Sequence, residues 1–250
     1  KFIPILENGH LDLEKLQNLI TSKTKLMSIT HMSNVLGVIN PIIDIIKIAK
    51  KNGIEVFIDA AQSISHLKID VKELNCDYLA FSGHKILGPT GVGVLYINKN
   101  NHSKILPLLY GGHMIKEVSM EDFNYNDIPW KFEAGTANIA QVIGLGKAIE
   151  YFQKYNEKSL HLYTSKLYKH LLEKLYTIQN IKIYPINTDN TGPVVSFSIK
   201  GIHDYDLTKL LDTYGICIRS GHHCAQPILN KYNIKSLSRV SLYFYNTIEE

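Results

Sequence analysis

The chain has 250 residues, 45% hydrophobic and 20% charged, which is enough apolar material for one large domain or for a domain with a smaller companion. Its formal net charge of +4 is spread along the sequence rather than gathered into an arm or stripe, which argues against a nucleic-acid partner. No apolar run reaches the ~18 residues of a membrane span, and Lys1–His10 lacks the basic start and long apolar stretch of a signal peptide. Three cysteines, Cys76, Cys217 and Cys224, form no disulfide framework, so we read a reducing compartment. The chain opens on Lys1 without an initiator methionine, which we read as a fragment or trimmed chain, and its abundance of Lys, Asn and Ile as a compositional bias of the source genome.

In chain order, LDLEKLQNLI has helical spacing and KLMSIT (Lys25 to Thr30) is a short apolar run suited to a strand. PIIDIIKIAKKNG begins at Pro41, carries an apolar face and stops at Gly53, as a helix does. IEVFIDA reads as a buried strand, and DYLAFSG and GVGVLYINK as two more, joined by a tight loop. From Asn138 a long helix runs through IAQVIGLGKAIEYFQKY, and helical pattern continues to about Gln179. IKIYPI and VVSFSI follow as strands, DYDLTKLLDTYG as a helix ended by Gly215, and ICIRS as a strand. Strands alternating with helices predict an α/β fold with parallel stretches over residues 1–147, and the second pattern predicts a smaller α+β domain over 148–250.

Three stretches carry chemistry. Asp59 follows Val56-Phe57-Ile58 and so ends a predicted strand, the edge at which open α/β sheets bind ligands. Taken alone it reads first as a cap for the next turn, and Gln62 and His66 read as surface or turn residues. Lys85 follows another strand in a loop with Ser82, Gly83, His84, Gly88 and Gly91; small residues admit a ligand to the backbone, and hydroxyls with N–H groups suit phosphate. A carboxylate for a ring nitrogen, a lysine for a Schiff base and hydroxyls for a phosphate are what pyridoxal 5'-phosphate requires. In RSGHHCAQP, Arg219, His222 and His223 precede Cys224, which leaves three readings: a metal ligand, a reactive thiol or a small buried hydrophobe. Adjacent ligands are unlike the paired spacings of structural zinc.

IDAAQSISH, SGHKILGPTGVGVLY, FEAGTANI, RSGHHCA and HMSNVLGVINPI together resemble the NifS-like cysteine desulfurases of the aminotransferase class V family, in particular the SufS-type (group II) branch, which also includes selenocysteine lyases. The resemblance spans essentially the whole chain. It implies the pyridoxal-phosphate-dependent transferase fold of type I, with a mixed, mostly parallel sheet in the large domain. It implies Lys85 as the Schiff-base lysine, Asp59 on the pyridine nitrogen, Gln62 on the ring hydroxyl, and Ser82 and His84 on the phosphate. Asn34 would lie near cofactor and substrate carboxylate, and Thr136 would reach the phosphate of the partner protomer in a homodimer. Arg239 would clamp the substrate carboxylate, with Arg219 in support, and Cys224 would be the nucleophile. In the implied reaction L-cysteine displaces Lys85, Lys85 moves the Cα proton, and the Cys224 thiolate takes the substrate sulfur as a persulfide while alanine leaves. Arg219, His222 and His223 would favour that thiolate. The sulfur would pass to a SufE-type acceptor protein and to iron–sulfur cluster assembly, in a bacterial cytoplasm or a plastid-type organelle such as an apicoplast.

The sequence departs from the family at GGHMI around His113, at GTAN where GTPN is usual, and at DAAQ where DGAQ is usual. The family's N-terminal segment, with its Gly-Thr-Thr phosphate loop and ring-stacking histidine, does not precede HMSNVLG, and NTIEE ends where the family continues into a helix. The 250 residues alone are therefore expected to bind cofactor poorly. His31 is read as either site-lining or structural, and Cys76 and Cys217 as core. A selenocysteine lyase and a non-catalytic scaffold are the rival readings; retention of Asp59, Lys85, Arg239 and Cys224 argues against the scaffold.

Overall fold

The computed structural model describes residues 1–185 and 190–250. The first part is built on four strands. After α1 (Leu13–Leu19), N-capped by the Asp12 carboxylate on Lys15 N–H at 3.0 Å, come β1 (Leu26–Thr30), α2 (Ile42–Lys51), β2 (Glu55–Asp59), the short α3 (Val71–Leu74), β3 (Tyr78–Ser82) and β4 (Gly93–Ile97). The order is β1-β2-β3-β4, with β1–β2 and β2–β3 parallel and β3–β4 antiparallel, so the sheet is mixed and mostly parallel as expected. Its core follows from the two periodicities of the sequence. Ile42, Ile45, Ile46 and Ala49 form one stripe of α2, and Met27, Ile29, Val56 and Ile58 point from alternate positions of β1 and β2 into the same cluster. That cluster leaves Phe57 and Asp59 only half buried, so IEVFIDA is buried on one face rather than throughout.

A two-stranded ribbon, β5 (Ile115–Val118) and β6 (Phe123–Tyr125), precedes two helices, α4 (Ile139–Phe152) and α5 (Glu157–Leu175). The second sheet is wholly antiparallel. It contains β7 (Ile181–Tyr184), β8 (Val194–Ile199), β9 (Arg219–Gly221) and β10 (Leu237–Ser241) in the order β7-β8-β10-β9, with α6 (Asp204–Asp212) and α7 (Gln226–Lys231) between strands. Ile186, the last residue of the predicted IKIYPI strand, lies outside the described residues. Position 148 falls inside α4.

The segment 33–39 links the sheets. Val35, Leu36 and Val38 pack with Tyr184, Ala225, Leu229 and Leu237, and Ser196 Oγ, fully buried in β8, donates to the Val35 carbonyl. Two expectations need correction. Only Arg219 and Ser220 of ICIRS are in a strand, because β9 has one neighbour and pairs with it over Arg219–Gly221 alone; Ile216, Cys217 and Ile218 lie outside it, and Cys217 is exposed rather than core. Cys76 is fully buried, and that burial pushes its thiol pKa up.

Candidate active site

The parallel strands β1, β2 and β3 end together. Thr30, Asp59 and Ala80 are register partners across the sheet, and the His31 and Ala60 amides continue the ladder to the carbonyls of Asp59 and Ala80. The segments that leave this edge carry Asn34, Asp59–Gln62 and Ser82–Lys85, so the topology gathers three distant stretches of sequence at one place. Asp59 Oδ1 accepts from Ala61 N–H at 2.9 Å, an Asx turn that fixes the carboxylate at the strand end. Its cap role and its availability are thus compatible, since Oδ2 has no partner among the described residues. The Gln62 amide and the Lys85 ammonium likewise have no side-chain partner there, and both residues are half-buried. Ser82 Oγ lies 2.9 Å from His84 Nδ1, and His84 is exposed.

The glycines of this loop also meet demands of its own backbone. A Cβ on Gly88 would stand 2.7 Å from the Gly83 carbonyl oxygen, which accepts the Gly88 N–H at 3.0 Å; the loop closes on itself. Gly91 sits in open space, and its φ of +77° is what demands glycine. Close approach at Gly88 lets the β3–β4 turn close. Asn138 Nδ2 donates to Gly91 O at 2.7 Å and so ties FEAGTAN to this turn, while Thr136 is exposed on the surface.

The other half of the site comes from the antiparallel sheet. Arg239 in β10 is the register partner of Arg219 in β9, two guanidinium-bearing residues directly opposed. Arg239 Nη1 donates to the Asn34 carbonyl at 2.8 Å, its Nε is buried without a partner, and neither arginine forms a salt bridge among the described residues. Burial, and then the charge of Arg219, lower the Arg239 pKa. Cys224 is exposed, and both it and His223 are left-handed, with φ of 57° and 52°. A cavity of about 470 Å³ is lined by Arg219, Ser220, His222, His223, Cys224, Gln226 and Pro227.

The two histidines of RSGHHCA diverge. His222 is exposed, with Nδ1 at 3.3 Å from Gln226 Nε2. His223 is 3% exposed and turned inward, with Nε2 at 2.9 Å from the Leu237 carbonyl; a carbonyl only accepts, so Nε2 carries the proton. Burial, with the nearby Arg239 and Arg219, lowers the His223 pKa. Protonation of His223 is thus disfavoured, and Arg219, which lines the same cavity as Cys224, is the cationic side chain of that lining. His31 is 7% exposed, with its pKa pushed down to about 4 by burial. His66, read as a surface or turn residue, ends the turn Ser63–Ser65 and packs edge-on against Tyr243 with its Nδ1 buried, and burial takes its pKa down to about 4 as well. His66 and Tyr243 stand far apart in sequence, with ring centroids 5.3 Å apart and nearly perpendicular, so no local pattern around His66 signals the contact.

The sequence pattern of the Aminotransferase class-V family matches residues 1–250. The chain belongs to the class-V aminotransferase family. This is a family of pyridoxal-phosphate-dependent enzymes, and the groups left without partners at the Asp59 edge fit that cofactor: an anionic oxygen, an amide and a primary amine beside a hydroxyl–imidazole pair. Among relatives, the chain is 48% identical over 250 residues to the cysteine desulfurase of Wigglesworthia glossinidia brevipalpis, covering 98% of this chain and 60% of that protein. It is 42% identical to a probable cysteine desulfurase of Halobacterium salinarum, over 100% of this chain and 60% of that one. Among solved structures, the cysteine desulfurase of Thermococcus onnurineus NA1 in its apo form superposes with a TM-score of 0.95 at 39% identity, over 100% of this chain and 62% of that one. The cysteine desulfurase CsdA of Escherichia coli, in an S-sulfonic acid form, gives 0.94 at 34% identity, over 99% and 61%. The α/β fold expected from the sequence is thus the fold of these enzymes. The chain spans about 60% of the length of these curated relatives.

Proposed function

We propose that this chain carries the lysine and cysteine halves of a cysteine desulfurase, which converts L-cysteine and the Cys224 thiol into L-alanine and a Cys224 persulfide. The observation that carries the reading is the opposed pair Arg219 and Arg239, unneutralised among the described residues and in the same sheet edge as the Cys224 loop. Like charges directly opposite destabilise a strand pair, and an amino-acid carboxylate relieves that cost through charge-assisted hydrogen bonds. Pyridoxal phosphate, when bound, supplies the electron sink that loosens the substrate Cα–H and the sulfur. In this reading Lys85 would hold the cofactor and move the Cα proton, Asp59 would pair with the ring nitrogen, Gln62 with the ring hydroxyl, and Ser82 and His84 with the phosphate. Asn34 and Arg239 hold the substrate carboxylate with Arg219 in support. Cys224 as thiolate would attack the substrate sulfur, the S–S bond forming as the substrate Cβ–S bond breaks; the electron pair left on Cβ takes up a proton, which balances the one the Cys224 thiol released to solvent.

The finer assignments belong to the same proposal: a SufS-type enzyme feeding a SufE-type acceptor and iron–sulfur cluster assembly, in a plastid-type organelle or a bacterial cytoplasm. A homodimer, with Thr136 reaching the partner's phosphate site, is supported by the exposed position of Thr136 and by the apolar Ile139, Val142 and Ile143 left exposed on α4. A division near residue 147 into a large and a small domain is supported by the two separate sheets. No helix among the described residues is long and apolar enough to cross a membrane.

The test is an absorbance spectrum of the full-length protein with pyridoxal phosphate, for wild type and Lys85→Ala, followed by assay of alanine and sulfide from L-cysteine. The expected result is a near-visible band that requires Lys85, and a loss of alanine formation of at least ~10³-fold in the variant. A band and alanine formation that survive Lys85→Ala overturn the reading.

A further inference from the structure

Cys224 occupies the second of two consecutive left-handed positions, His223 and Cys224, neither of them glycine. Such a conformation costs a non-glycine residue roughly 1–2 kcal/mol and persists only where surrounding contacts hold it. Those contacts converge on residue 223. Its imidazole Nε2–H donates to the Leu237 carbonyl at 2.9 Å, and its own carbonyl accepts from Asn34 Nδ2 at 2.7 Å. Leu237 opens β10, two positions before Arg239, and is fully buried. Asn34 in turn accepts Arg239 Nη1 on its backbone carbonyl. Residue 223 is therefore pinned from one side to the strand that carries Arg239 and from the other to the residue that Arg239 grips.

The strand itself is anchored from behind. Asp204, buried at the start of α6, accepts from Ser236 Oγ at 2.6 Å and from Ser238 Oγ at 3.3 Å, the residues on either side of Leu237. The Leu237 carbonyl is thus a fixed acceptor, and the bond from His223 transmits that fixity to the Cys224 loop. The His222 side chain, by contrast, is exposed, and its hydrogen-bond partner among the described residues is Gln226 at the start of α7.

We propose that His223 is a positioning residue for sulfur transfer: its buried imidazole holds Cys224 in a fixed relation to Arg239, so that the thiol and the carboxylate clamp address one substrate molecule. The proposal rests on the desulfurase reading above. It assigns His223 no proton transfer and no contact with substrate or cofactor.

The test uses full-length protein loaded with pyridoxal phosphate, as wild type, His223→Ala and His223→Gln; glutamine keeps an N–H donor near the position of Nε2. Three quantities are read: the absorbance change on adding L-cysteine, single-turnover persulfide formation on Cys224 by mass spectrometry, and amide exchange of residues 219–226. His223→Ala is expected to keep the cofactor band and the L-cysteine response, to form persulfide about tenfold or more slowly, and to exchange the loop amides about tenfold faster, the effect of one lost buried hydrogen bond. His223→Gln is expected to recover most of both losses. Wild-type persulfide formation with unchanged exchange in His223→Ala overturns the proposal, as does a loss of the cofactor response that glutamine does not restore. If wild-type protein itself forms no persulfide, the desulfurase reading fails, and loop exchange alone decides whether His223 holds Cys224.

Discussion

The two halves of the site are held by different kinds of contact. At the parallel sheet, the anchoring bonds are local: Asp59 reaches Ala61 and Ser82 reaches His84, each two positions along the chain. At the antiparallel sheet they are remote: Asn34 to His223 spans 189 positions and Arg239 to Asn34 spans 205. A strand end followed by a turn organises its own side chains, because the turn needs its hydrogen bonds wherever the sheet lies. The cysteine half has no such self-sufficiency. Its geometry exists only once segment 33–39 has packed on Tyr184, Leu229 and Leu237. The lysine half is therefore expected to tolerate single changes in its turn, and the cysteine half to fail as a unit.

The largest expected effect tests the remote half. Arg239→Ala removes one guanidinium of the opposed pair and the bond to the Asn34 carbonyl. Truncating one partner of a hydrogen-bonded charged contact costs about 2–5 kcal/mol, so kcat/KM for L-cysteine is expected to fall between ~30-fold and several thousandfold. Arg239→Lys is expected to recover little, because an ammonium cannot reproduce the planar fork. Steady-state kinetics with both variants checks this, and full activity of Arg239→Ala would show that the clamp lies elsewhere.

A smaller effect tests the seam between the halves, where His66 lies edge-on to Tyr243 at 5.3 Å. Burial lowers the His66 pKa from 6.5 to about 4, so the folded state disfavours the charged ring. The unfolded chain binds the proton first as pH falls, and stability is expected to be undiminished above pH 6.5 and to decline between pH 6.5 and about 4. The full loss, reached once the folded state also takes up the proton, is on the order of 3 kcal/mol. His31, with its pKa also near 4, declines over the same window. Urea midpoints at pH 7 and about pH 4.5 are expected to differ less for His66→Gln than for wild type; an equal drop in both would show that His66 does not carry the effect.

The same contrast explains what was legible in the sequence. The stripe Ile42, Ile45, Ile46 and Ala49 announced α2, and Asp59 and Lys85 were readable because apolar strands run directly up to them. β10 was not readable. Its Ser238 is fully buried, and Arg239 half-buried, so a strand beside the centre of the second sheet carries polar residues where hydropathy expects apolar ones; Asp204 makes this possible by accepting from Ser238. ICIRS misled in the opposite sense, since its apolar residues Ile216, Cys217 and Ile218 all lie outside the three-residue pairing of β9. The inward turn of His223 was hidden because its acceptor, Leu237, is fixed by tertiary structure.

The smallest expected effect sharpens the comparison most directly. Ser82→Ala removes an exposed two-position contact to His84, and Asn34→Ala removes a bond that crosses the chain to His223. Surface changes of the first kind stay within about 0.5 kcal/mol, whereas a part-buried bond left half-made costs about 1–3 kcal/mol. In full-length protein without added cofactor, Ser82→Ala is expected to shift Tm by no more than ~2 °C, and Asn34→Ala by several degrees. Equal shifts would mean that sequence separation is not what distinguishes the halves. A larger shift for Asn34→Ala, with Ser82→Ala affecting only the binding of pyridoxal phosphate, would place the stability of the site in its remote bonds and leave the local turn free to serve the ligand.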